Sequence, residues 1–520
     1  MRVKNKALWA ISTILVLVVL LIHMESLTAL WRPSGEVWAH IRTHLLWDYT
    51  RNTVVLVVAS MFFGGIIGTL AAYFVSCFEF PLRRFFAALL YLPLAIPPYI
   101  AAYVYADILG PFGLVHQLFG DFVRVPRLWL AVLVFTMTLF PYVYIGVKAF
   151  IGHGMTSHIE NARLLQKNEF QIFFRVILPI AKTAILTGMV LVGLEVMGDF
   201  GASHYLGVHT YATAIFRSWI GFRDFDSALR LSGLAVVAVF ALLLLKSIVL
   251  QFGYRMATSA KSLPVSRKKL SRRAALIPFG FCFAVLFFTF ALPLYRLVHW
   301  ALISFHNVRF AALQEMIGNS VFLALFTTGL IVMLGFSIAG YTRTSSRLSA
   351  AIYGKATLVS YSLPGAVMAM VTLFFFLRLS EWIPLPLGTS ILMLVVGYTV
   401  RYLGIAYENI EDGYKKIGTR HHEAARTLGK GYYKTLLRVD FAMLKPFLLS
   451  SAALVFIDLI RELPLTLVLR PFNFHTLATQ VYQYASDEML PESAVPSLII
   501  IAISICFITL ILRIKRSAAR

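Results

Sequence analysis

Long apolar stretches are the feature that most constrains the fold of this chain. Each is about as long as the 20 or so residues that cross a bilayer as a helix, and there are twelve, at 7–24, 52–76, 85–109, 128–150, 177–198, 228–252, 275–300, 319–341, 350–377, 387–407, 446–462 and 494–512. They lack the alternating pattern of membrane β-strands. Because 59% of the residues are hydrophobic and 14% are charged, the sequence predicts an all-α membrane protein with about 12 transmembrane helices.

The positive charge of the chain is unevenly distributed among its loops. A net charge of +23 would suit a nucleic-acid partner, but most of the 47 Lys and Arg lie at the termini, in segment 253–274 and in loops that follow an even number of stretches. This asymmetry is typical of membrane proteins. It predicts cytoplasmic N- and C-termini and a lipid environment, and it argues against nucleic acid. Met1–Met24 resembles a signal peptide without a small-residue cleavage site, so we interpret it as a retained first span.

One motif occurs twice, once in each half of the chain. It reads ENARLLQKNEFQIFFRVILP at Glu160–Pro179 and EAARTLGKGYYKTLLRVDFA at Glu423–Ala442, and the offset between the copies is 263 residues. Each copy lies in a basic loop and leads into an apolar stretch. The repetition predicts two halves of six helices, 1–252 and 275–520, joined by a basic cytoplasmic linker at 253–274. An even number of spans gives both halves the same orientation, so they form a parallel repeat.

The repeated motif resembles the EAA loop of ABC importer permeases with the type I fold, the inner-membrane components of binding-protein-dependent transport. Glu423, Ala424, Ala425 and Gly429 fit the first part of the family pattern. The resemblance is specific because the motif is present in both halves. It implies that the two loops bind a partner protein on the cytoplasmic side.

The two copies depart from the family pattern in different ways. In the first copy Gln166 replaces the Gly, and we expect Asn168 to take the left-handed turn instead. In the second copy Phe441 and Ala442 replace the Leu-Pro ending, and we expect Pro446 to begin the next helix. The two loops are therefore predicted to be unequal.

The resemblance also implies where the energy for transport comes from. The chain has no Walker-type phosphate-binding run, and the family pairs its loops with two copies of a cytoplasmic ABC ATPase that carries ATP and Mg. We therefore expect a permease that is not an enzyme and binds no cofactor, in the bacterial inner membrane, with a periplasmic substrate-binding protein. The residues expected to couple to the ATPase are Glu160, Ala162, Arg163, Glu423, Ala424, Ala425 and Gly429. The alternative is that each copy is only a cytoplasmic hairpin.

The sequence resembles ferric iron importer permeases over nearly its whole length. The resemblance is clearest in the segments DFGASHYLGVHTYATAIFRSWIGFRDFDSALRLS from Asp199 and RELPLTLVLRPFNFHTLATQVYQYASDE from Arg461. It implies ferric iron as the substrate, while thiamine and phosphonate permeases share the fold and remain alternatives. An ion-coupled secondary transporter is an alternative from another class and would need no ATPase. The aromatic loops after the fifth and eleventh stretches are a predicted docking surface for the binding protein.

Four acidic residues lie near the ends of the fifth and eleventh stretches. Glu195 and Asp199 share one helical face, and the offset of 263 residues leads to Asp458 and Glu462 in the second half. A carboxylate at membrane depth usually faces a bundle interior or a wet path, and Fe³⁺ is a hard cation that prefers oxygen ligands. We therefore expect the acids to line the translocation path. The alternative is structural: Arg461 neutralises a neighbour, and Asp199 and Glu462 cap loops.

Two prolines interrupt apolar stretches at related positions. Pro97 lies in the third stretch and Pro364 in the ninth, 267 residues apart. Each removes a hydrogen-bond donor from its helix. We expect a bend beside the translocation path or, as the alternative, a packing kink.

No side chains are assigned to a metal site. The three cysteines, Cys77, Cys282 and Cys506, are scattered among apolar residues. His421 and His422 are adjacent, so on a helix they do not share a face.

Overall fold

The fold is almost entirely helical. A computed structural model describes residues 6–31, 35–110, 113–120, 125–251, 266–345, 347–382, 390–418 and 420–517. The helices of the first half are α1 Lys6–Thr28, α2 Glu36–His40, α3 Leu46–Cys77, α4 Arg83–Leu89, α5 Pro98–Leu109, α6 Leu114–Phe119, α7 Arg127–Gly154, α8 Thr156–Leu164, α9 Glu169–Ile172, α10 Leu178–Gly198, α11 Gly201–Tyr205, α12 Tyr211–Phe216 and α13 Phe225–Gln251. Those of the second half are α14 Arg272–Leu286, α15 Leu292–Ser304, α16 Phe310–Thr344, α17 Arg347–Ser362, α18 Gly365–Trp382, α19 Ile391–Ile417, α20 Arg420–Thr427, α21 Tyr432–Thr435, α22 Phe441–Ile460, α23 Pro464–Leu469, α24 Leu477–Ser486 and α25 Leu490–Ser517.

Short π-helical turns join several of these helices into longer ones. The turns are Ile41–Leu45, Phe173–Ile177, Arg217–Gly221, Phe287–Ala291 and Leu436–Asp440. The second and fifth turns occupy equivalent places in the two copies of the repeated motif. Each therefore connects a coupling loop to a membrane helix without a break.

The structure contains ten helices, within the described residues, that are long and apolar enough to cross a membrane. The predicted stretches are among them except the first, the third and the first part of the ninth, because the ninth is divided at Pro364 into α17 and the span Gly365–Trp382. The third forms two helical segments, Arg83–Ala95 and Pro98–Leu109, bent by 94°, which give an eleventh span if they are counted as one. The first forms α1, whose described apolar part is only Ser12–Leu21. The all-α membrane fold is confirmed, with ten or eleven spans where the sequence predicts about twelve.

The bend in the third stretch lies at Pro97. Ile96, which precedes it, has an extended backbone with φ −94° and ψ 108°, because a residue before proline is driven out of the helical region. α5 then begins at Pro98, which is tolerated in a first turn. Pro364 likewise lies in the break between α17 and α18. Both prolines thus end one helix and begin another.

Small residues allow close helix packing in both halves. A Cβ atom on Gly68 of α3 would lie 2.7 Å from Cβ of Val143, and one on Gly188 of α10 would lie 2.6 Å from Cα of the same valine. A Cβ atom on Gly335 of α16, the counterpart of Gly68, would lie 3.1 Å from Cβ of Ala406 in α19. Such contacts hold membrane helices together by close approach of their backbones. The bundles α3, α7, α10 and α16, α19, α22 are therefore repeated units.

The first helix of each half packs against the other half. α1 contacts α16, α17 and α18 of the second half, while α14 contacts α3 and α4 of the first. This exchange joins the two halves into one body. The linker adds a parallel pairing of β1, Phe78–Glu79, with β2, Lys268–Lys269. Residues 253–265 of the predicted linker lie outside the described residues, and its last three residues belong to α14.

Candidate translocation site and coupling loops

A cavity of about 100 Å³ lies between the two halves and contains the predicted acids. Glu195 and Asp199 reach it from the end of α10, and Asp458 and Glu462 reach it from the end of α22. Pro97 also lines this outer cavity. The other lining residues are Pro98, Tyr99, Leu139, Tyr142, Leu191, Leu194, Gly198, Gly201, Tyr361, Leu363, Arg401, Tyr402, Arg461, Leu463 and Pro464. Pro364 is adjacent to it, because a Cβ atom on Gly198 would lie 3.6 Å from the Cα of Pro364.

Two of the acids also cap the short helices that follow them. Oδ1 of Asp199 accepts hydrogen bonds from the backbone N–H groups of Ala202 at 2.8 Å and Ser203 at 3.4 Å. Oε1 of Glu462 accepts one from the N–H of Leu465 at 3.2 Å. The capping alternative is therefore correct for these two residues, but their location is a cavity rather than open water, since Glu462 is only 7% exposed. One carboxylate can cap a helix and still face the cavity.

Two partly buried arginines accompany the acids of the second half. Nη1 of Arg401 lies 3.5 Å from Oε1 of Glu462, which also accepts a hydrogen bond from the hydroxyl of Tyr402. Arg461 forms an ion pair with Asp458. The neutralising role considered for Arg461 is thus present. Arg401 was missed, although a single Arg inside the tenth apolar stretch was a visible signal.

The acids of the first half have no such partner. Glu195 accepts a hydrogen bond from the hydroxyl of Tyr142 at 3.2 Å, and Asp199 accepts backbone N–H groups. Neither forms a salt bridge with a described residue. Four carboxyl groups and two guanidinium groups line the cavity, so its side chains carry an excess of negative charge when all are ionised.

A second cavity of about 410 Å³ lies on the side of the coupling loops. Glu408 and Asp412 of α19 line this inner cavity, one helical turn apart, and sequence reasoning missed both. They follow the tenth apolar stretch directly, which was the available signal. Acidic side chains therefore continue from the outer cavity toward the coupling loops.

The exposed apolar surface of the coupling loops is repeated between the two copies. Leu165 is 72% exposed and its counterpart Leu428 is 79% exposed. Phe170 and its counterpart Tyr433 are exposed as well. Large exposed apolar side chains at equivalent positions indicate an interaction surface.

The predicted coupling residues differ in exposure. Glu423, Ala424 and Gly429 are exposed, and Ala425 and Glu160 are half-buried. Ala162 is 7% exposed and faces the interior of its own loop. Arg163 donates hydrogen bonds to the carbonyls of Ser266 at 2.6 Å and Cys77 at 3.3 Å. Three of the seven predicted residues are thus exposed, and all three belong to the second copy.

The first loop is fastened to the end of the linker. Glu169 lies 3.1 Å from Nζ of Lys268 and 3.6 Å from Nε of Arg163. The second loop is held differently, because buried Asp440 is hydrogen-bonded to Nδ1 of His422 at 2.8 Å and forms an ion pair with Arg343 at 3.4 Å. Across the described ranges, no group of three or more His, Cys, Asp or Glu could hold a metal ion.

Two local predictions for these loops are wrong. Asn168 has φ −71° and caps α9 by accepting the N–H of Gln171 at 2.7 Å, so it is not left-handed. Gln166 itself takes the left-handed position with φ 54°, as Gly429 does with φ 77°. Pro446 lies inside α22 and begins no helix. A membrane helix tolerates an internal proline where neighbouring groups satisfy the freed backbone.

The segments after the fifth and eleventh apolar stretches are more buried than we expect for a docking surface. α12 is buried along its whole length, α23 is mostly buried, and half of the residues of α24 are buried. The segments contact each other where the hydroxyl of Tyr482 lies 2.9 Å from Nδ1 of His204. Burial lowers the pKa of His204, so it is neutral at pH 7. Only parts such as Phe472, at 93% exposure, are free to contact another protein.

Two repeated helical halves, a charged cavity between them and a pair of exposed loops define a membrane permease. The chain belongs to the family of binding-protein-dependent transport system inner membrane components, which matches residues 64–258 and 331–520. It is therefore a multi-pass transport permease and not an enzyme, and the family in general works with ATPase and binding-protein partners.

Relatives in this family differ in the substrates that their names state. An Fe(3+)-transport system permease protein of Haemophilus influenzae is 23% identical over 460 residues, which cover 87% of this chain and 87% of the relative. A sulfate transport system permease protein of Salmonella typhimurium is 26% identical over 252 residues, 46% of this chain and 88% of the relative. A probable molybdenum ABC transporter permease protein of Haloferax volcanii is 30% identical over 198 residues, 36% of this chain and 71% of the relative.

Proposed function

We propose that this chain is the permease of an ABC importer that conducts ferric iron across a bacterial inner membrane. A periplasmic binding protein delivers the iron, and two copies of a separate cytoplasmic ATPase, which hold ATP and Mg, drive the transport. The observation that supports ferric iron as the substrate is similarity to an Fe(3+)-transport permease over 87% of both chains. The sulfate and molybdenum relatives cover less than half of this chain.

The charge of the outer cavity supports a cationic substrate. Asp458 and Glu462 are paired with arginines, whereas Glu195 and Asp199 are not. Carboxylate oxygens suit a hard trivalent cation, and an excess of acid repels sulfate, molybdate and phosphonate. Thiamine is a cation and stays an alternative on this argument. Arg401 and Arg461 are the observation that favours an oxyanion, and that second candidate requires them to leave their acidic partners.

The two coupling loops support an ATPase-driven mechanism over an ion-coupled carrier. Their exposed apolar residues are repeated at an offset of 263 residues, as expected for two equal partner subunits. A secondary transporter has no use for such a repeated surface. When the coupling loops face an ATPase in the cytoplasm, both termini are cytoplasmic and the outer cavity faces the periplasm.

Substrate uptake by the reconstituted complex tests the proposal. Proteoliposomes that contain the permease, its ATPase and the binding protein are expected to accumulate Fe³⁺ when ATP is present, and not sulfate, molybdate, phosphonate or thiamine. ATP-dependent uptake of one of the other compounds with no uptake of iron would overturn the assignment. Accumulation of iron that needs an ion gradient and no ATP would show a secondary transporter.

A paired variant tests the role of the unpaired acids. Glu195→Gln with Asp199→Asn removes two charges, leaves both arginines paired, and keeps an oxygen that can cap α11. We expect iron uptake to fall by at least about tenfold, because carboxylates at this depth provide most of the attraction for a cation. Glu36→Gln, an exposed acid at the start of α2, is the control. Normal uptake by the double variant, at equal ATPase binding, would show that the acids have a packing role.

A further inference from the structure

The outer and inner cavities are separated by a partition made of few residues. The residues that line both cavities are Tyr142, Leu191, Tyr361, Asp458 and Arg461. Only two of these are charged, and they form an ion pair with each other. Because both cavities are lined by this pair, the pair lies between the acids of the outer cavity and Glu408 and Asp412.

Arg461 also binds the other half of the molecule at the partition. Its Nη1 donates a hydrogen bond to the carbonyl of Leu94 at 3.0 Å. Leu94 lies in the single turn Leu92–Ala95, just before the bend at Pro97. One guanidinium therefore joins a carboxylate of the second half to a backbone carbonyl of the first, directly where the path is narrow.

The two consecutive prolines explain why this carbonyl is available. In a helix the carbonyl of Leu94 would accept a hydrogen bond from the residue three or four positions later. Those residues are Pro97 and Pro98, and neither has an N–H group. A carbonyl buried without a partner is costly, so the guanidinium of Arg461 satisfies a group that the chain itself cannot satisfy.

We propose that Arg461 is a built-in cation that closes the partition, and that a multivalent cation in transit displaces it from Asp458. This inference rests on the proposed function for the identity of the cargo. A trivalent ion competes for the same carboxylate with a larger charge than a guanidinium, and it repels Arg461 at short range. When Arg461 leaves Asp458 it also leaves Leu94, and the two halves separate at the partition. A monovalent ion of the same size lacks the charge to do this.

The passive leak of the complete complex tests the closing role of Arg461. The permease with its ATPase is reconstituted without ATP or binding protein, and the efflux of Na⁺ from the vesicles is measured. Arg461→Gln is expected to raise the efflux at least about tenfold, since removal of one partner of a partly buried charge pair leaves the other charge uncompensated. Arg461→Lys keeps the charge but not the forked geometry that reaches both acceptors, so an intermediate efflux is expected.

A second ion pair between the halves supplies the matched control. Nε of Arg296 lies 2.7 Å from Oδ2 of Asp107 and joins α15 to α5, away from both cavities. Arg296→Gln should leave the vesicles as tight as the parent. Equal efflux from Arg461→Gln and Arg296→Gln would overturn the closing role of Arg461. If Arg461→Gln does not assemble with the ATPase, the response of the parent complex to La³⁺ decides instead.

A trivalent probe tests the displacement of Arg461 independently of which ion is transported. La³⁺ added on the side of the outer cavity is expected to raise Na⁺ efflux from the parent several-fold, and K⁺ at equal ionic strength is expected to have no effect. The absence of any La³⁺ effect would overturn displacement. A La³⁺ effect in a complex that imports no iron would support the closing role of Arg461 and reject iron as the cargo.

Discussion

At the scale of residues, the turn of each coupling loop depends on one left-handed backbone position. Gly429 occupies it in the second copy with φ 77°, and Gln166 occupies it in the first with φ 54°. Glycine adopts this conformation without strain, whereas a residue with a Cβ pays for it. The first loop is therefore the more strained of the two, and it is also the one fastened by Arg163 and Glu169 to neighbouring segments.

A pair of glycine substitutions isolates the effect of this conformation. Neither Gly429 nor Gly431 has an atom within 4 Å of where a Cβ would lie, and only Gly429 has a positive φ. Gly429→Ala should therefore cost roughly 1–2 kcal/mol in the loop and weaken ATPase binding by about fivefold or more. Gly431→Ala, with φ −63°, should have little effect. Equal ATPase affinities of the two variants, measured by titration in detergent, would contradict this account.

Individual residues also show what sequence reasoning can and cannot reach. The four acids were placed on one surface because their repetition at a fixed offset was visible in the sequence. Their partners were not, since the contacts of Arg401 and Arg461 depend on how distant helices meet. Asn168 was assigned to the turn by its intrinsic tolerance of left-handed geometry, but its side chain is a better helix cap.

At the scale of elements, the helix that leads out of each coupling loop is longer than its apolar stretch. The spans run from Glu169 to Gly198 and from Tyr432 to Ile460, each through a π-helical turn. Hydropathy locates only the part in lipid, because the polar first turns do not score as apolar. A π turn has no reliable sequence signal. The existence and order of the helices could thus be predicted, whereas their true beginnings could not.

The difference between the two loops leads to a prediction for docking. Glu423→Ala and Glu160→Ala are each expected to reduce the amount of ATPase that co-purifies with the permease. The effect should be larger for Glu423, because that residue is exposed and Glu160 is half-buried. Leu428→Asp should also weaken binding by introducing a charge into the exposed apolar surface, and Leu428→Met is its control. Undiminished ATPase binding and transport in the double glutamate variant would remove the coupling role.

At the scale of the whole molecule, the halves are held together by more than their covalent link. α1 packs on three helices of the second half, α13 packs on α18, and α14 and α15 pack on the first half. The chain could be divided into two repeats from the sequence, but this exchange of first helices could not be foreseen, because apolar periodicity does not say which neighbour a helix has. Tertiary contacts alone decide it.

Cutting the chain inside the linker tests the strength of this association. Halves expressed together as 1–255 and 262–520 are expected to co-purify in near-equal amounts in a mild detergent, because the described helix contacts between the halves are made by residues that the two pieces retain. Deletion of residues 1–31 from the first half should reduce recovery of the second, since α1 is lost. A first half expressed alone is the control for stability. Separation of the intact halves in detergent would contradict the prediction.

The unequal pairing of the acids gives the cavity an electric dipole component perpendicular to the axis that relates the two halves. A two-fold axis cancels every dipole component perpendicular to itself, so a pore built from two identical chains attracts a centred ion equally from both walls. Here both arginines belong to the second half, and the residues at the corresponding positions of the first half are Thr138 and Gly198. The two acids that form no salt bridge with a described residue therefore lie on one wall. A cation in this cavity is drawn off centre toward α10, and only a pore whose two halves differ in sequence can steer it in this way.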